Sequence, residues 1–354
     1  MLKILVVRLS SIGDIVHTLP AVAALGQALP DAGIDWVVES RYAELLEDNP
    51  FINRVIALDT LGWRRRWHSF GAWRAAARSL EEIRSLRPDI AIDFQGLIKS
   101  AAVARLSGAA KRIGFGGRWL REAMAGRLYT EQASAADSRH VVEENLALVQ
   151  CLGVRPVDRE RWRFPLPRSA AAEDRVTKRL AALGAREFVV INPGGGWTSK
   201  RWAPAQYAAL VRELAGRLEY DVLVTGSPAE EAMIGAILKE SQPARSFYFP
   251  STLMEFIVLM RRARLFVGGD TGPLHLAAAA GTPIVAIYGP TSPARNGPFA
   301  ADDITVWNED LSGANRGYAH WGGGRGNRQT YLGGVSVEKV LDAVSRRLAG
   351  GYGA

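Results

Sequence analysis

Four clusters of residues in this sequence have the types and spacing to do chemistry. The first is RLSSIGDIVHTLP at residues 8–20. Ser10 and Ser11 put two hydroxyls where a strand-like run ends, Gly13 lets a backbone approach closely, and Asp14 falls where a helix begins. A carboxylate there can take a proton from a bound hydroxyl. It can equally be a helix N-cap, which needs no further purpose. The dinucleotide-binding fingerprint wants three glycines in such a turn, and this one has a single glycine. The second cluster is NPGGGWTSKRW at 192–202. Its three consecutive glycines, Gly195 and Gly196 among them, expose backbone N–H groups that can wrap a phosphate, and Lys200 adds a positive charge. The spacing is not that of a Walker A loop. A flexible strand-to-helix connection would use the same glycines.

The third cluster is GGDTGPLHL at 268–276, followed by GTPIVAIYGPTSP at 281–293. Asp270 ends a strand, Thr271 and Gly272 form the turn, a helix starts near Pro273, and His275 lies one turn in. A helix N-terminus with a hydroxyl beside it suits an anion. A histidine in a first turn is otherwise often packed or solvated, so the combination is more specific than its parts. The fourth is Trp63-Arg64-Arg65-Arg66-Trp67, with Gln95, Gly96 and Lys99 further on in DFQGLIKS. Three adjacent arginines cannot share one helical face. Arginines beside aromatics suit a surface that grips phosphates near lipid headgroups. They also suit stacking on RNA, although no RNA-binding module accompanies them.

The elements that must position these clusters alternate. Strands are expected at 3–8, 34–39, 53–59 and 89–94, with helices at 15–29, 41–48 and about 69–86. The rhythm restarts with strands at 188–193, 220–226, 247–250, 264–270 and 283–289, and helices at 204–218, 229–239, 252–262 and from 273. Such alternation implies parallel sheets. The stretch 155–169, rich in Pro and Arg, has the composition of a linker, and the glycine-rich 312–334 that of a mobile loop. The expected class is α/β: two doubly wound, Rossmann-like domains facing across a cleft, with ligands at the carboxyl ends of the strands. The boundaries are 1–160, 170–335, and a closing helix and tail at 336–354 that is a candidate to pack back on the N-terminal domain.

Composition narrows the class. With 48% hydrophobic and 23% charged residues over 354 residues, the chain can bury two ordinary cores. A single cysteine, Cys151, excludes a disulfide framework and fits a reducing compartment. The apolar run at 4–7 is too short for a signal segment, and no stretch is long enough to span a bilayer, so a soluble intracellular protein is expected. The net charge is +8, yet residues 61–130 alone carry fourteen Lys or Arg against five Asp or Glu. That concentration points to an anionic partner, a phosphorylated lipid, a membrane surface or nucleic acid. A solvated arginine-rich face explains it about as well.

Together these segments resemble the ADP-heptose–lipopolysaccharide heptosyltransferases, inverting enzymes of GT-B fold, from Lys3 to about Pro293. RLSSIGDIVHTLP is most similar to the enzymes that add the first heptose to Kdo. The resemblance implies a general base at Asp14 and donor binding by Gly195, Gly196, Lys200, Glu230 (on the nucleotide ribose), Asp270, Thr271, Gly272 and His275. Lys200 would also assist catalysis. It implies an acceptor side made by Ser10, Gly13, Arg64, Arg65, Arg66, Gln95, Lys99 and Arg121. The substrates implied are ADP-heptose and Kdo-lipid A or a partial lipopolysaccharide core. The implied location is the cytoplasmic face of the inner membrane, peripherally bound. No metal, cofactor or nucleic acid is expected. The donor loop has glycines where the first-heptose enzymes commonly have threonines, and the stretches 126–132 and 320–327 match none of the family's pattern. Two rivals remain at this stage: a GT-B transferase for another nucleotide-sugar, and a non-catalytic protein that binds anionic lipid or RNA.

Overall fold

A computed structural model of the chain describes residues 1–307 except 67, 137, 196–200, 243, 244 and 290, together with 332 and 334–350. The chain divides into two compact units, Met1–Pro167 and Arg168–Ala354.

The first unit is built on strands β1 (Lys3–Val7), β2 (Gly33–Glu39), β3 (Arg54–Leu58), β4 (Ile90–Asp93), β5 (Lys111–Phe115) and β6 (Glu131–Ala133). They form a parallel sheet in the order β3-β2-β1-β4-β5-β6. Its helices are α1 (Ile12–Ala28), α2 (Thr60–Arg65), α3 (Phe70–Ser85), α4 (Ile98–Leu106) and α5 (Val141–Gln150). The central strands are near-continuous apolar runs because crossover helices bury both faces of a parallel sheet. Leu5, Val7, Val37, Ile56 and Ala91 meet Ile83 of α3 and Ala104 of α4 in one core, while α1 packs against α5.

The second unit runs α6 (Ala170–Leu183), β7 (Phe188–Asn192), α7 (Pro204–Gly216), β8 (Asp221–Val224), α8 (Glu231–Ser241), β9 (Ser246–Tyr248), α9 (Leu253–Arg262), β10 (Leu265–Gly269), α10 (Gly272–Ala279), β11 (Ile284–Tyr288), α11 (Pro293–Asn296), β12 (Ile304–Trp307) and α12 (Val337–Ala349). Its sheet, also parallel, has the order β12-β11-β10-β7-β8-β9. Both sheets therefore have the same winding, with β7 in the place of β1 and β10 in the place of β4. In such sheets the strand order reverses at one point, and ligands bind at the carboxyl ends of the strands there. The switch points are β1/β4 in the first unit and β7/β10 in the second.

Several expectations change. The closing helix belongs to the second unit: α12 buries Val340, Ala343 and Val344 in the second core, with Leu210 and Leu214 of α7 and Ile287 of β11. Its apolar stripe fits the sheet edge at β11 and β12, and Trp202 ties the chain before it by donating Nε1–H to the Val335 carbonyl at 2.9 Å. The second unit thus extends past 335. The Pro- and Arg-rich stretch is not a free linker, for Trp162 is buried against the His140 ring and Asn49 donates to the Pro165 carbonyl at 3.3 Å. The first unit accordingly ends at 167 instead of 160. Residues 40–46 form a 3-10 helix. Elements α4, β5, β6 and α5 lie where the sequence shows no clear alternation: two of the five residues of β5 are charged, and β6 has three residues.

Candidate functional site

At the end of β1 the chain turns into α1, and Ser11 is the N-cap of that helix. Asp14 sits at the third helical position and reaches back to accept from Ser11 N at 3.1 Å and Ser11 Oγ at 3.2 Å. This is a capping-box contact, so the cap is Ser11, and Asp14 is not the N-cap. The other oxygen, Asp14 Oδ1, carries two guanidinium groups: Arg8 Nη2 at 2.5 Å and Arg121 Nη2 at 3.1 Å. They differ in freedom. The Arg8 side chain is 3% exposed and also donates to the Phe94 carbonyl, whereas the Arg121 side chain is 36% exposed. Burial alone would raise the Asp14 carboxyl, but the charges of Arg8 and then Arg121 outweigh it and hold the group well below the usual carboxylate range. Asp14 is therefore ionised at any physiological pH.

The partners of Asp14 are fixed by the neighbouring strand. Asp93, at the end of β4 and fully buried, accepts from Gln95 N at 2.8 Å, Gly96 N at 3.3 Å, Ser100 Oγ at 2.7 Å and Tyr129 OH at 2.6 Å. Burial pushes this carboxyl up and the four donors restrain it. The turn so pinned needs glycine at 96, where φ is +69°. Gln95 Oε1 then accepts from Leu9 N at 2.9 Å, which ties β4 to β1. Gly96 O receives Glu122 N at 3.1 Å, and Glu122 Oε2 receives Ile98 N at 2.6 Å. These bonds anchor the loop that carries Arg121.

At the ends of β2 and β3 lies an open cavity of about 480 Å³, lined by Glu39, Arg41, Asp59, Arg65 and Arg66 among others. Glu39 is buried and accepts from the Thr60 hydroxyl. The Tyr42 hydroxyl, half-buried beside it, is raised by burial and by the negative charges of Glu39 and Asp14, partly offset by Arg41. The arginine triplet is divided, as its spacing requires: Arg65 and Arg66 line the cavity and Arg64 does not.

The switch point of the second unit is furnished differently. Glu230 Oε1 accepts from Gly195 N at 3.1 Å, and its Oε2 accepts from Ser227 N and Oγ, each at 2.8 Å. A Cβ at residue 194 would lie 2.2 Å from Glu230 Oε1, so any larger residue there would push the Glu230 carboxylate aside. Arg201 Nε donates to the Gly195 carbonyl at 2.7 Å. At the end of β10, His275 Nε2 and Asp270 Oδ1 are 3.1 Å apart, both residues buried. Thr271 caps α10 without spending its hydroxyl, and Thr271 Oγ1 and Thr291 Oγ1 are buried with no hydrogen-bond partner among the described residues. Buried hydroxyls without partners are uncommon, and Thr271 stands at the N-terminus of α10, where the first N–H groups have no partner within the helix.

Of the residues singled out from sequence, Ser10, Gly13, Asp14, Gln95 and Arg121 gather at β1/β4. Gln95 spends its Oε1 on the fold, and Lys99 is exposed on the first turn of α4. Gly195, Glu230, Asp270, Thr271, Gly272 and His275 lie at β7/β10 or at the neighbouring end of β8. Trp67, Gly196, Lys200 and most of 312–334 fall outside the described residues. Thr291 belongs to the Gly-Pro-Thr of the third cluster, whereas the sequence does not single out Arg8, Glu39, Asp93 and Tyr129 as site residues. For Arg8 and Asp93 a signal existed: a charged residue closing an apolar strand at the point where the strand order reverses.

A model of glycosyltransferase family 9 (heptosyltransferase) matches residues 76–319. Lipopolysaccharide heptosyltransferase 1 of Pseudomonas aeruginosa is 31% identical over 307 residues, covering 86% of this chain and 83% of that protein. The structure of E. coli heptosyltransferase WaaC with ADP-2-deoxy-2-fluoro heptose superposes with a TM-score of 0.75 at 25% identity, covering 97% and 99% of the two chains. A family 9 glycosyl transferase from Veillonella parvula shares the fold, with a TM-score of 0.79 at 22% identity over 99% and 97%.

Proposed function

The chain belongs to glycosyltransferase family 9, the heptosyltransferases, and we propose that it transfers heptose from ADP-heptose, with inversion, to the Kdo of the lipopolysaccharide inner core. The name of the Pseudomonas aeruginosa relative and the ADP-heptose analogue in the WaaC structure support this choice of substrates. The observation that carries it is the Asp14 carboxylate at the switch point of the first sheet, about a fifth exposed and held by the guanidinium groups of Arg8 and Arg121.

In this mechanism Asp14 is the general base. Arg8 and Arg121 keep it unprotonated, which a base requires, but they also weaken its hold on a proton. Arg8 is buried and stays. Arg121 is the exposed partner, so anionic groups of the acceptor draw it off and the acceptor hydroxyl takes its place at Oδ1. As that hydroxyl attacks the anomeric carbon, its proton passes to Asp14 and the bond from that carbon to the diphosphate oxygen breaks. ADP leaves on the opposite face. Its charge is met by Lys200, by the glycine loop at Gly196, whose neighbour Gly195 is held by Glu230, and by the amino end of α10 with the Thr271 hydroxyl. The reaction as proposed calls for no metal or cofactor. Glu230 takes the ribose through Oε1: its Oε2 is filled by Ser227 N and Oγ, whereas Oε1 accepts one bond, from Gly195 N, and retains capacity for a ribose hydroxyl. Asp270 orients His275 towards the donor. Arg65 and Arg66 with the cavity they line, and the exposed Lys99, receive the acceptor's acidic groups. The proposed location is the cytoplasmic face of the inner membrane, held peripherally, since no helix among the described residues is long and apolar enough to cross a membrane.

A coupled assay of ADP release, with ADP-heptose and Kdo-lipid A, tests this. The expected result is turnover with ADP-heptose and none with UDP- or GDP-sugars. Turnover with another nucleotide-sugar alone would replace the donor assignment.

A further inference from the structure

Helix α3 turns an unusual face to water. Its inward side is Ala72 and Ile83, followed by Leu86, all buried. Its outward side begins with Phe70, 82% exposed, and Trp73, 66% exposed. A spacing of three puts these two rings on the same side of the helix. Among the described residues they are the exposed large aromatics; the other exposed large apolar residues are Met1, Leu2, Ile98, Leu106 and Met124. Around them, residues 64–78 contain five arginines and no Asp or Glu. Arg64, Arg65, Arg66, Arg74 and Arg78 are all exposed. Acidic residues border the group at its ends: Asp59 meets Arg66 at 3.4 Å on the open surface, and Glu81 and Glu82 follow Arg78 one turn further along α3.

We propose that α2 and α3 dock the protein on an anionic lipid bilayer, with Phe70 and Trp73 entering the boundary between headgroups and acyl chains. Rings of this kind gain by leaving water, and tryptophan favours the headgroup level. Arg64, Arg74 and Arg78 engage lipid phosphates while their stems follow the rings inward. Charge selects the partner: a stretch with five cations and no anion matches the negative cytoplasmic leaflet. The proposal rests on the acceptor being membrane-borne, and it gives Arg65 and Arg66, in the cavity at the ends of β2 and β3, a place beside the bilayer. Arg64 then serves docking, and its neighbours serve the acceptor.

The test is cosedimentation of the full chain, without substrates, with vesicles of phosphatidylcholine containing phosphatidylglycerol. Phe70→Ser with Trp73→Ser should lower the partition coefficient on the order of a hundredfold, about tenfold for each ring. Arg74→Ser with Arg78→Ser should lower it by about fivefold per residue in low salt, an effect that fades in high salt. All four positions are exposed, so the melting temperature should hold. Turnover on a deacylated, water-soluble acceptor should also match the wild type. Unchanged vesicle binding by the aromatic variant overturns the proposal, even if the arginine variant binds less. So does tighter binding of the wild type to single-stranded RNA than to the anionic vesicles. Failure of the wild type on the soluble acceptor would instead count against the proposed reaction, leaving the vesicle result to stand alone.

Discussion

The crevice after β1 and β4 and the crevice after β7 and β10 occupy the same position in two sheets of the same winding, yet they are furnished in opposite ways. The first is made of full charges: Arg8 and Arg121 on one oxygen of Asp14, with buried Asp93 pinning the turn beside them. The second, among the described residues, is made mostly of backbone N–H groups, spare hydroxyls and carboxylates already in use on the loop or on His275. Fixed dipoles suit a ligand group that arrives charged, such as a diphosphate, because nothing need reorganise around it. A carboxylate poised between cations suits a step in which its charge is neutralised by a proton, since removing one cation raises its basicity. One winding thus serves two tasks, and the residues just beyond the strand ends decide which.

Three perturbations probe that contrast, and the largest should be at Arg8. Arg8→Met keeps the bulk but removes the buried half of the ion pair and the bond to Phe94 O. Breaking a buried pair costs about 3 kcal/mol or more, the lower figure here because Arg121 and water still reach Asp14. Asp270→Asn keeps its bond to His275 and should cost about 1 kcal/mol. Denaturant unfolding of both variants measures this, and equal losses would erase the distinction between the crevices. Next in size is Gly194→Ala, whose Cβ would lie 2.2 Å from Glu230 Oε1. Overpacking of this kind costs about 1–3 kcal/mol, so ADP affinity by calorimetry should fall about tenfold with the acceptor KM unmoved. A shift in acceptor KM alone would place the glycine loop on the wrong substrate.

The smallest effect concerns protons away from both crevices. Burial pushes Asp303 up to about 6, opposed by Ile284 N and Arg347. Its folded value lies above the unfolded one, so the folded state holds its proton longer, and stability from this group declines as pH rises from about 4 to 6 and is flat above. Asp303→Asn should remove that slope, worth about 1–3 kcal/mol, from the pH dependence of unfolding. An unchanged slope would assign it to other carboxyls.

Much of this architecture was legible because parallel strands buried on both faces announce themselves as apolar runs, and Gly-rich turns follow them. The α10 motif and the capping turn before α1 were read in their places, apart from which residue caps. What escaped depends on contacts distant in sequence. Nothing near Arg121 announces Asp14, which is 107 residues away. Asp93 looked like one more residue of DFQG until Tyr129 and Ser100 closed on it. The amphipathic stripe of α12 says that it packs, but only the edge formed by β11 and β12 says where. Strands β5 and β6 were missed because they are short and polar, and tertiary pairing holds them in the sheet against weak local preference.

The central claim is that Asp14 takes the acceptor's proton, and Asp14→Asn tests it most directly. Asparagine can still accept from Ser11 N, so the capping contact survives, but it cannot receive a proton. Loss of the charge facing Arg8 will lower the melting temperature, so turnover is measured well below it, beside calorimetric ADP binding on the same sample. The account predicts a fall in kcat of about 10²–10⁴-fold, with ADP affinity unchanged because Glu230 and Thr271 belong to the other unit. Turnover within a few-fold of wild type would leave Asp14 a helix-capping residue and contradict the mechanism.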